Sequence, residues 1–295
     1  MIKRDRTMAE GLTDDPAITV LLPVKEYHPR FLQEAIGSVF AQSSPEWRLL
    51  VVLDPAAADL ADQSILTEPL KDARIGVTPA EGRKLAGAFN TGMRVSQTEF
   101  VAILLGDDLW DPEAVEVLTA NIQRHPDVDF FYSARRYIYD DGRPISGIFE
   151  PRDKVRAQDF LLGSPVKHLL CWRSLKALSF GGMDETLNNV GPDDYDFPWT
   201  MLEHGAKFRA VPECLYYIRD HRTSYRLTTH QTRKHHLREL RRILEKHGAE
   251  PAAIALNLKR AKRSYLRQCL YRNELDRWWK DRTGFDPERA PRRQY

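Results

Sequence analysis

Cysteine is scarce in this chain. Its three copies, Cys171, Cys214 and Cys269, are odd in number, far apart and in no metal-ligand spacing. A disulfide framework is thereby excluded as the organising device, and a reducing compartment fits best. Long apolar runs are missing too: nothing approaches the roughly 18–20 residues that a bilayer-crossing helix needs. Residues 1–16 are polar and mixed in charge, without the apolar segment of a signal peptide. They read as a short disordered lead, and the expected location is cytoplasmic, with the inner face of the membrane as a peripheral option. No internal repeat or low-complexity tract occurs. No Gly-x-Gly-x-x-Gly follows the first apolar run, which disfavours a dinucleotide enzyme. The segment after that run, PVKEYHPR, contains no glycine, which disfavours a nucleotidyltransferase with its Gly-rich loop.

What is present is an ordinary globular composition with an uneven charge. The chain has 295 residues, 42% of them hydrophobic and 29% charged, with a net charge of +2. That length suits one large α/β domain with an appendage. Residues 227–295 hold 18 Lys/Arg against 8 Asp/Glu, a net of +10, which leaves the remainder at −8. An acidic body with a basic tail suggests two jobs in one chain.

Apolar β-branched runs alternate with helical patterns over the first 125 residues. Ala17 to Val24, Trp47 to Leu53, Ala73 to Val77 and Phe100 to Leu105 read as strands, the longer ones apolar enough to be buried on both faces. Pro29 to Gln42, Ala61 to Leu70, Leu85 to Val95 and Asp111 to His125 read as helices. Such βαβ alternation predicts a mostly parallel, Rossmann-like sheet flanked by helices, with ligands bound beyond the carboxyl ends of its strands. Three strand ends are polar there: Pro23-Val24-Lys25, Asp54, and Gly106-Asp107-Asp108. Further on, Phe130 to Tyr139 and Pro144 to Phe149 flank a turn at Asp140-Asp141-Gly142 and predict an antiparallel hairpin. Val166 to Arg173, Lys207 to Val211 and Leu215 to Ile218 predict strands, and Tyr195 to His204 a helix. From Gln231 the pattern turns helical and basic, with one helix ending at Gly248 and a second running from Pro251 towards Trp279.

The order of these pieces resembles glycosyltransferase family 2, the inverting enzymes of GT-A fold, over roughly Ile18 to Leu227. The first piece is VLLPVKEYHPRFLQEAIGSVFAQ, with Ser38 and Gln42 in the family's Ser-(apolar)-x-x-Gln places. The second is LLVVLDPAA, which keeps Asp54 but has Pro55-Ala56 where Gly-Ser is frequent. The third is EGRKLAGAFNTGMRVSQTEFVAILLGDD, with Asn90 and Gly92 in pattern and Lys84 where glycine is common. The fourth is Asp107-Asp108, with Leu105 replacing a frequent third acid. The fifth is GPDDYDF, and the sixth YYIRDHRTSYRLT.

The resemblance implies a domain plan and a site. A catalytic domain spans 17–227, with a nucleotide-sugar half (17–125) and an acceptor half (126–227), followed by a basic helical extension (228–295). Donor-binding residues are Pro23, Val24, Glu26, Asp54 on the nucleobase, Arg83 and Lys84 on the diphosphate, Asn90, and Asp107 on the ribose. Asp108 is the metal ligand for Mn²⁺ or Mg²⁺, because a hard divalent cation takes only one or two protein carboxylates beside phosphate oxygens. His221 is a second ligand or a diphosphate contact, and Arg219, Arg222 or Arg226 clamp phosphates. Asp194 is the general base and Asp193 its partner acid, since direct inversion needs a base opposite the leaving nucleotide. Clustered carboxylates are expected to raise one another's pKa. Asp196 is expected at a helix N-terminus, and Trp172 and Trp199 are candidates for sugar platforms.

The implied reaction moves a sugar from a UDP- or dTDP-sugar to an acceptor hydroxyl by metal-assisted displacement. The acceptor is a saccharide, a lipid-linked molecule or a small metabolite. The alternatives are a non-catalytic sugar-nucleotide-binding or scaffold protein and a nucleotidyltransferase. For the tail, packing on the catalytic domain or a second subunit competes with docking on an anionic membrane; nucleic acid is the least favoured partner.

Overall fold

A computed structural model of the chain describes residues 17–62, 64–187, 191–220 and 233–265. Its eight strands are β1 (Ile18–Val24), β2 (Trp47–Leu53), β3 (Ile75–Pro79), β4 (Phe100–Ile103), β5 (Leu109–Trp110), β6 (Phe130–Ile138), β7 (Leu170–Arg173) and β8 (Phe208–Arg219). They form one sheet in the order β3-β2-β1-β4-β7-β6-β8-β5. β1 to β4 are mutually parallel, β6 and β8 are parallel, and β7 and β5 run against their neighbours. The helices are α1 (Pro29–Phe40), α2 (Ser64–Thr67), α3 (Lys84–Val95), α4 (Ala114–Arg124), α5 (Ser174–Ser179), α6 (Phe197–Glu203), α7 (Arg233–Lys246) and α8 (Pro251–Tyr265).

The uninterrupted apolar runs have a simple cause: both faces of the sheet are covered. In β1, Ile18, Val20, Leu22 and Val24 join Leu32, Ile36 and Val39 of α1 and Leu118 of α4 in one core. Leu21 points the other way, into a core with Phe89 and Met93 of α3. α3 lies close on β1 because Gly92 has no side chain: a Cβ there would sit 2.9 Å from a Leu21 methyl. Ile243 and Leu244 of α7 and Ile254 of α8 are buried in that second core, so the described part of the basic extension packs on the α/β domain.

Several elements differ from the sequence reading. β6 pairs antiparallel with the segment returning from the Asp140–Gly142 turn, as the hairpin reading expects, through bridges at Arg135–Phe149 and Ile138–Pro144 and a bond from the Ile145 N–H to the Tyr137 carbonyl, but its main partners are β7 and β8. The two short strands expected over 207–218 are one, β8, with a register irregularity opposite Ser133–Arg135 that accommodates Pro212, which has no N–H to donate. The helix expected over 61–70 is broken into a 3₁₀ segment (Pro55–Asp62), α2 and a second 3₁₀ turn (Pro69–Lys71). Ahead of α6 lies a π-helical turn, Pro192–Asp196. Among the described residues no helix is long and apolar enough to cross a membrane.

Candidate active site

Topology decides which side chains meet. In the parallel strands the carboxyl ends share one edge of the sheet: Val24, Leu53-Asp54, and the loop after β4 that carries Asp107-Asp108. β7 runs the opposite way, so its amino end, entered through Lys167-His168, lies at that same edge. β1 and β4 are neighbours although β2 and β3 separate them in the chain, which makes this edge the reversal point of the strand order.

The loop holding the acid pair is fixed from three sides. Gln42, at the end of α1, donates to the Asp111 carbonyl at 2.7 Å and accepts from the Val115 N–H at 2.9 Å. Ser38 Oγ accepts the Trp110 N–H at 3.2 Å. The Ser-x-x-x-Gln motif therefore braces the scaffold under the acids. Arg219, only 1% exposed, completes the frame. Its guanidinium donates to the Asp107 carbonyl (2.9 Å), the Asp140 carbonyl (2.7 Å) and Glu34 (2.6 Å), and lies over the Phe31 ring. The expectation that Arg219 clamps phosphate is corrected: the side chain is buried, and each of its three nitrogens donates inside the protein.

Asp108 is the inner acid, 4% exposed. One carboxylate oxygen accepts the Arg219 backbone N–H at 2.8 Å, and the Tyr216 hydroxyl bonds the carboxylate as well. That hydroxyl is oriented by accepting the Leu105 N–H at 3.1 Å. Burial, reinforced by the neighbouring charge of Asp107, pushes the Asp108 carboxyl up to about 7. Burial and the nearby Asp108 likewise raise the Tyr216 phenol far above its ordinary range.

The second acid pair comes from the π-helical turn. Gly191 enters it with φ of 57°, the left-handed region that suits glycine. Asp193 is buried and paired with His168 Nε2 at 2.9 Å. Asp194 is the more accessible acid, its Oδ2 held by Lys167 Nζ at 2.5 Å. His168 links the two pairs: bonded to Asp193, its ring stacks on Tyr216 with centroids 5.3 Å apart. Burial opposes charge on His168, yet Asp193, Asp194 and Asp108 together raise its pKa. The expectation that the clustered acids of this turn raise one another is corrected at Asp194. There burial is outweighed by Lys167, His168 and Arg135, and the carboxyl lies below its usual range. His168, Lys167 and Tyr216 were not singled out from the sequence: the first two lie in the Val166–Arg173 strand pattern, without a motif to mark them, and Tyr216 opens the sixth piece, YYIRDHRTSYRLT, where the charged residues drew the reading.

The other expected donor residues take varied positions. Pro23 and the buried Val24 close β1, and Glu26 is exposed just beyond. Asp54 Oδ1 accepts the Ala56 N–H at 2.9 Å, so it shapes its own turn. Asn90 is 5% exposed and its amide is committed to the Gly181–Glu185 turn. It donates to the Met183 carbonyl (2.9 Å) and Glu185 (3.0 Å) and accepts from the Met183 N–H (2.8 Å). Exposed Arg83 gives its backbone N–H to Glu185 at 2.8 Å. Lys84 has φ of 58°, which explains why a glycine suits that place. Trp172 and Trp199 are corrected to core residues: Trp172 donates to Met93 Sδ, and Trp199 stacks on His247. Asp196 stands at the N-terminus of α6, as expected, but its side chain makes no cap bond: it is buried and pairs with Lys246 (2.8 Å) and His247 (3.1 Å), latching α7 to the domain. His221, Arg222 and Arg226 lie outside the described residues.

The donor set suits a hard divalent ion. Asp108 offers a buried carboxylate whose two identified partners, a backbone amide and a phenol, are both uncharged, with Asp107 beside it. One such carboxylate, completed by phosphate and water oxygens, is enough protein ligation for Mg²⁺ or Mn²⁺.

Comparison with known proteins identifies the family and the fold. The family model for glycosyl transferase family 2 matches residues 19–175. The chain is 24% identical over 213 residues to the O-antigen biosynthesis protein RfbC of Myxococcus xanthus, covering 71% of this chain and 16% of that protein. It spans about a fifth or less of the length of the first curated relatives it matches. The fold superposes on the S. aureus TarS complex with UDP-GlcNAc, with a TM-score of 0.62 at 17% identity over 86% of this chain and 74% of that one. It also superposes on the mannosyltransferase PcManGT of Pyrobaculum calidifontis in complex with GDP-Man and Mn²⁺, with a TM-score of 0.56 at 19% identity over 87% of this chain and 71% of that one. By the motifs, the sheet and the family model together, the chain belongs to glycosyl transferase family 2 and has the GT-A fold.

Proposed function

We propose that this chain transfers a sugar from a nucleoside-diphosphate donor, a UDP- or dTDP-sugar, to an acceptor hydroxyl by direct displacement with inversion. Polysaccharide, glycolipid or glycosylated-metabolite synthesis is the setting. The observation that carries the reading is the meeting of two carboxylate pairs, Asp107-Asp108 and Asp193-Asp194, at one sheet edge around His168 and Tyr216. The complexes of TarS with UDP-GlcNAc and of PcManGT with GDP-Man and Mn²⁺ lend it support.

Bound through Asp108, Mn²⁺ or Mg²⁺ would neutralise charge on the departing diphosphate. Asp107 is suited to a ribose hydroxyl, being less buried than its neighbour. Asp54, at the end of β2, is suited to an N–H of the base, accepting with the lone pairs its turn leaves over. Tyr216 and the Arg219 amide hold Asp108 in one orientation, so no reorganisation is needed when donor binds. Asp194 is ionised at neutral pH and accessible, as an acceptor of the hydroxyl proton must be. Asp193, closed off by His168, fixes the turn that presents Asp194.

Two substitutions separate the roles. Asp108→Asn is expected to abolish Mn²⁺-dependent binding of UDP, measured by calorimetry. Asp194→Asn is expected to leave that binding intact and to lower sugar transfer at least a hundredfold. Wild-type transfer by Asp194→Asn would refute the base assignment.

A further inference from the structure

We infer that the outward face of α8, together with Leu162, docks on an anionic lipid bilayer. Packing on the domain accounts for one side of this helix only. Ile254 and Asn257 are buried, and Leu258 and Ala261 pack against the second core, so these four define the inner side. At about 3.6 residues per turn the opposite side carries Leu256, Lys259, Arg260, Lys262 and Arg263, all exposed. Lys259 lies one turn from Lys262 and Arg263, and Arg260 one turn from Arg263, spacings at which like charges repel along a helix. No acid occurs in α8 to offset them. The basic residues of α7 are handled differently: Arg238 and Arg242 pair with Glu239, Arg241 with Glu245, and Lys246 with Asp184 and Asp196. The four cations of α8 make no such pair among the described residues, so a negative surface is what complements them.

The exposed leucines indicate which negative surface. Leu256 is 51% exposed and stands on the basic side of α8. Leu162 is 52% exposed and lies one hydrogen bond away: Asn257, next to Leu256, donates to the carbonyl of Leu161, next to Leu162. Nucleic acid favours stacking aromatics beside its cations. A bilayer interface takes cations at the headgroups and leucine at the acyl boundary, which is the combination found here. The same loop is joined to the base turn, since the Phe160 carbonyl accepts the Tyr195 hydroxyl at 2.7 Å and Tyr195 follows Asp194. Under the glycosyltransferase reading, the docked face is therefore continuous with the turn that meets the acceptor. Docking itself does not rest on that reading.

The test is vesicle co-sedimentation of the full chain without UDP or Mn²⁺, so its outcome is independent of the donor site. One set of vesicles is phosphatidylcholine alone, the other phosphatidylcholine mixed with phosphatidylglycerol. The chain is expected to sediment with the second set and not the first. Release is expected in about 1 M salt, where the screening length is about 3 Å. Each cation near an anionic surface changes binding about fivefold, so Lys259→Gln, Arg260→Gln and Arg263→Gln combined are expected to weaken it about a hundredfold. Leu162→Ser with Leu256→Ser is expected to weaken it about fivefold. Arg124→Gln, exposed at the end of α4 on the other face of the sheet, is expected to change it less than about twofold. Thermal melts check that each variant is folded; if the triple variant is not, Lys259→Gln and Leu256→Ser alone carry the test in smaller steps. Equal binding to both vesicle sets, binding to neither, or unchanged binding in the charge variants would overturn the inference. So would tighter binding to duplex DNA than to the anionic vesicles, or self-association through this face in sedimentation velocity without vesicle binding.

Discussion

Arg219 separates a structural from a substrate-binding role with one substitution, Arg219→Met. The guanidinium is 1% exposed and spans three segments: Glu34 on α1, the Asp107 carbonyl in the acid loop and the Asp140 carbonyl. Methionine keeps most of the packing against Phe31, since it is unbranched and similar in length. What is lost is electrostatic. Two carbonyls lose a charged donor, at about 1–3 kcal/mol each if they stay dry. Glu34 loses its ion pair, but its side chain is 40% exposed and rehydrates, so that share is under about 1 kcal/mol. With local relaxation the net loss is about 3 kcal/mol, or a drop of about 5 °C in Tm for a chain of this size. The assay is urea unfolding followed by tryptophan fluorescence, with UDP affinity measured in parallel. The expected result is a large stability loss with a moderate, up to tenfold, weakening of Mn²⁺-dependent UDP binding through a loosened Asp107. Unchanged stability together with abolished UDP binding would refute the reasoning and return Arg219 to the phosphates. Glu34→Gln, as the control, is expected to cost less than about 1 kcal/mol.

Two further outcomes follow from packing and charge. Gly92→Ala places a methyl 2.9 Å from Leu21 and lifts α3 from β1, so a loss of about 1–3 kcal/mol is expected in urea unfolding, and stability within 0.5 kcal/mol of wild type would contradict the close approach. Lys246 bridges Asp184 and Asp196. Burial opposes its charge, but these two carboxylates prevail and raise its pKa above the ordinary 10.5. A folded-state value above the unfolded one contributes stability that is full below about 10.5 and fades as pH rises through the folded value. The stability gap between wild type and Lys246→Met is therefore expected to be constant from pH 7 to 9 and to shrink above about 10.5. A gap that instead grows above that pH would show the sign to be wrong.

The part of the fold from β1 to α4 was legible because its signals are local. Strands buried on both faces must be apolar throughout, so β1, β2 and β4 stand out as runs, and the polar residues that end them stand out by contrast. Position 84 is a finer case. The lysine there departs from the glycine common in the family, and its φ of 58° shows what the glycine is for. The part from β6 to β8 was harder to read. β6 pairs with strands far along the chain, and Pro212 splits the pattern of β8 into two apparent strands. The tryptophans misled for a related reason: an aromatic next to acids looks like a sugar platform until the fold buries it.

By itself the sequence determined the fold class, the family and the two acid pairs, since each is written in contiguous residues whose spacing or polarity is a local property. Only the tertiary structure decided what surrounds those acids. His168 and Lys167 reach the site because β7 runs antiparallel and brings its amino end to the edge where β1, β2 and β4 finish. Arg219 is turned inward because Glu34, Asp107 and Asp140 converge on it from three segments far apart in the chain. Asp194 lies below its usual pKa while Asp108 is raised to about 7, although each is one of an adjacent pair. The sign of each shift depends on which charges the fold brings within a few ångströms, and no local spacing encodes that distance.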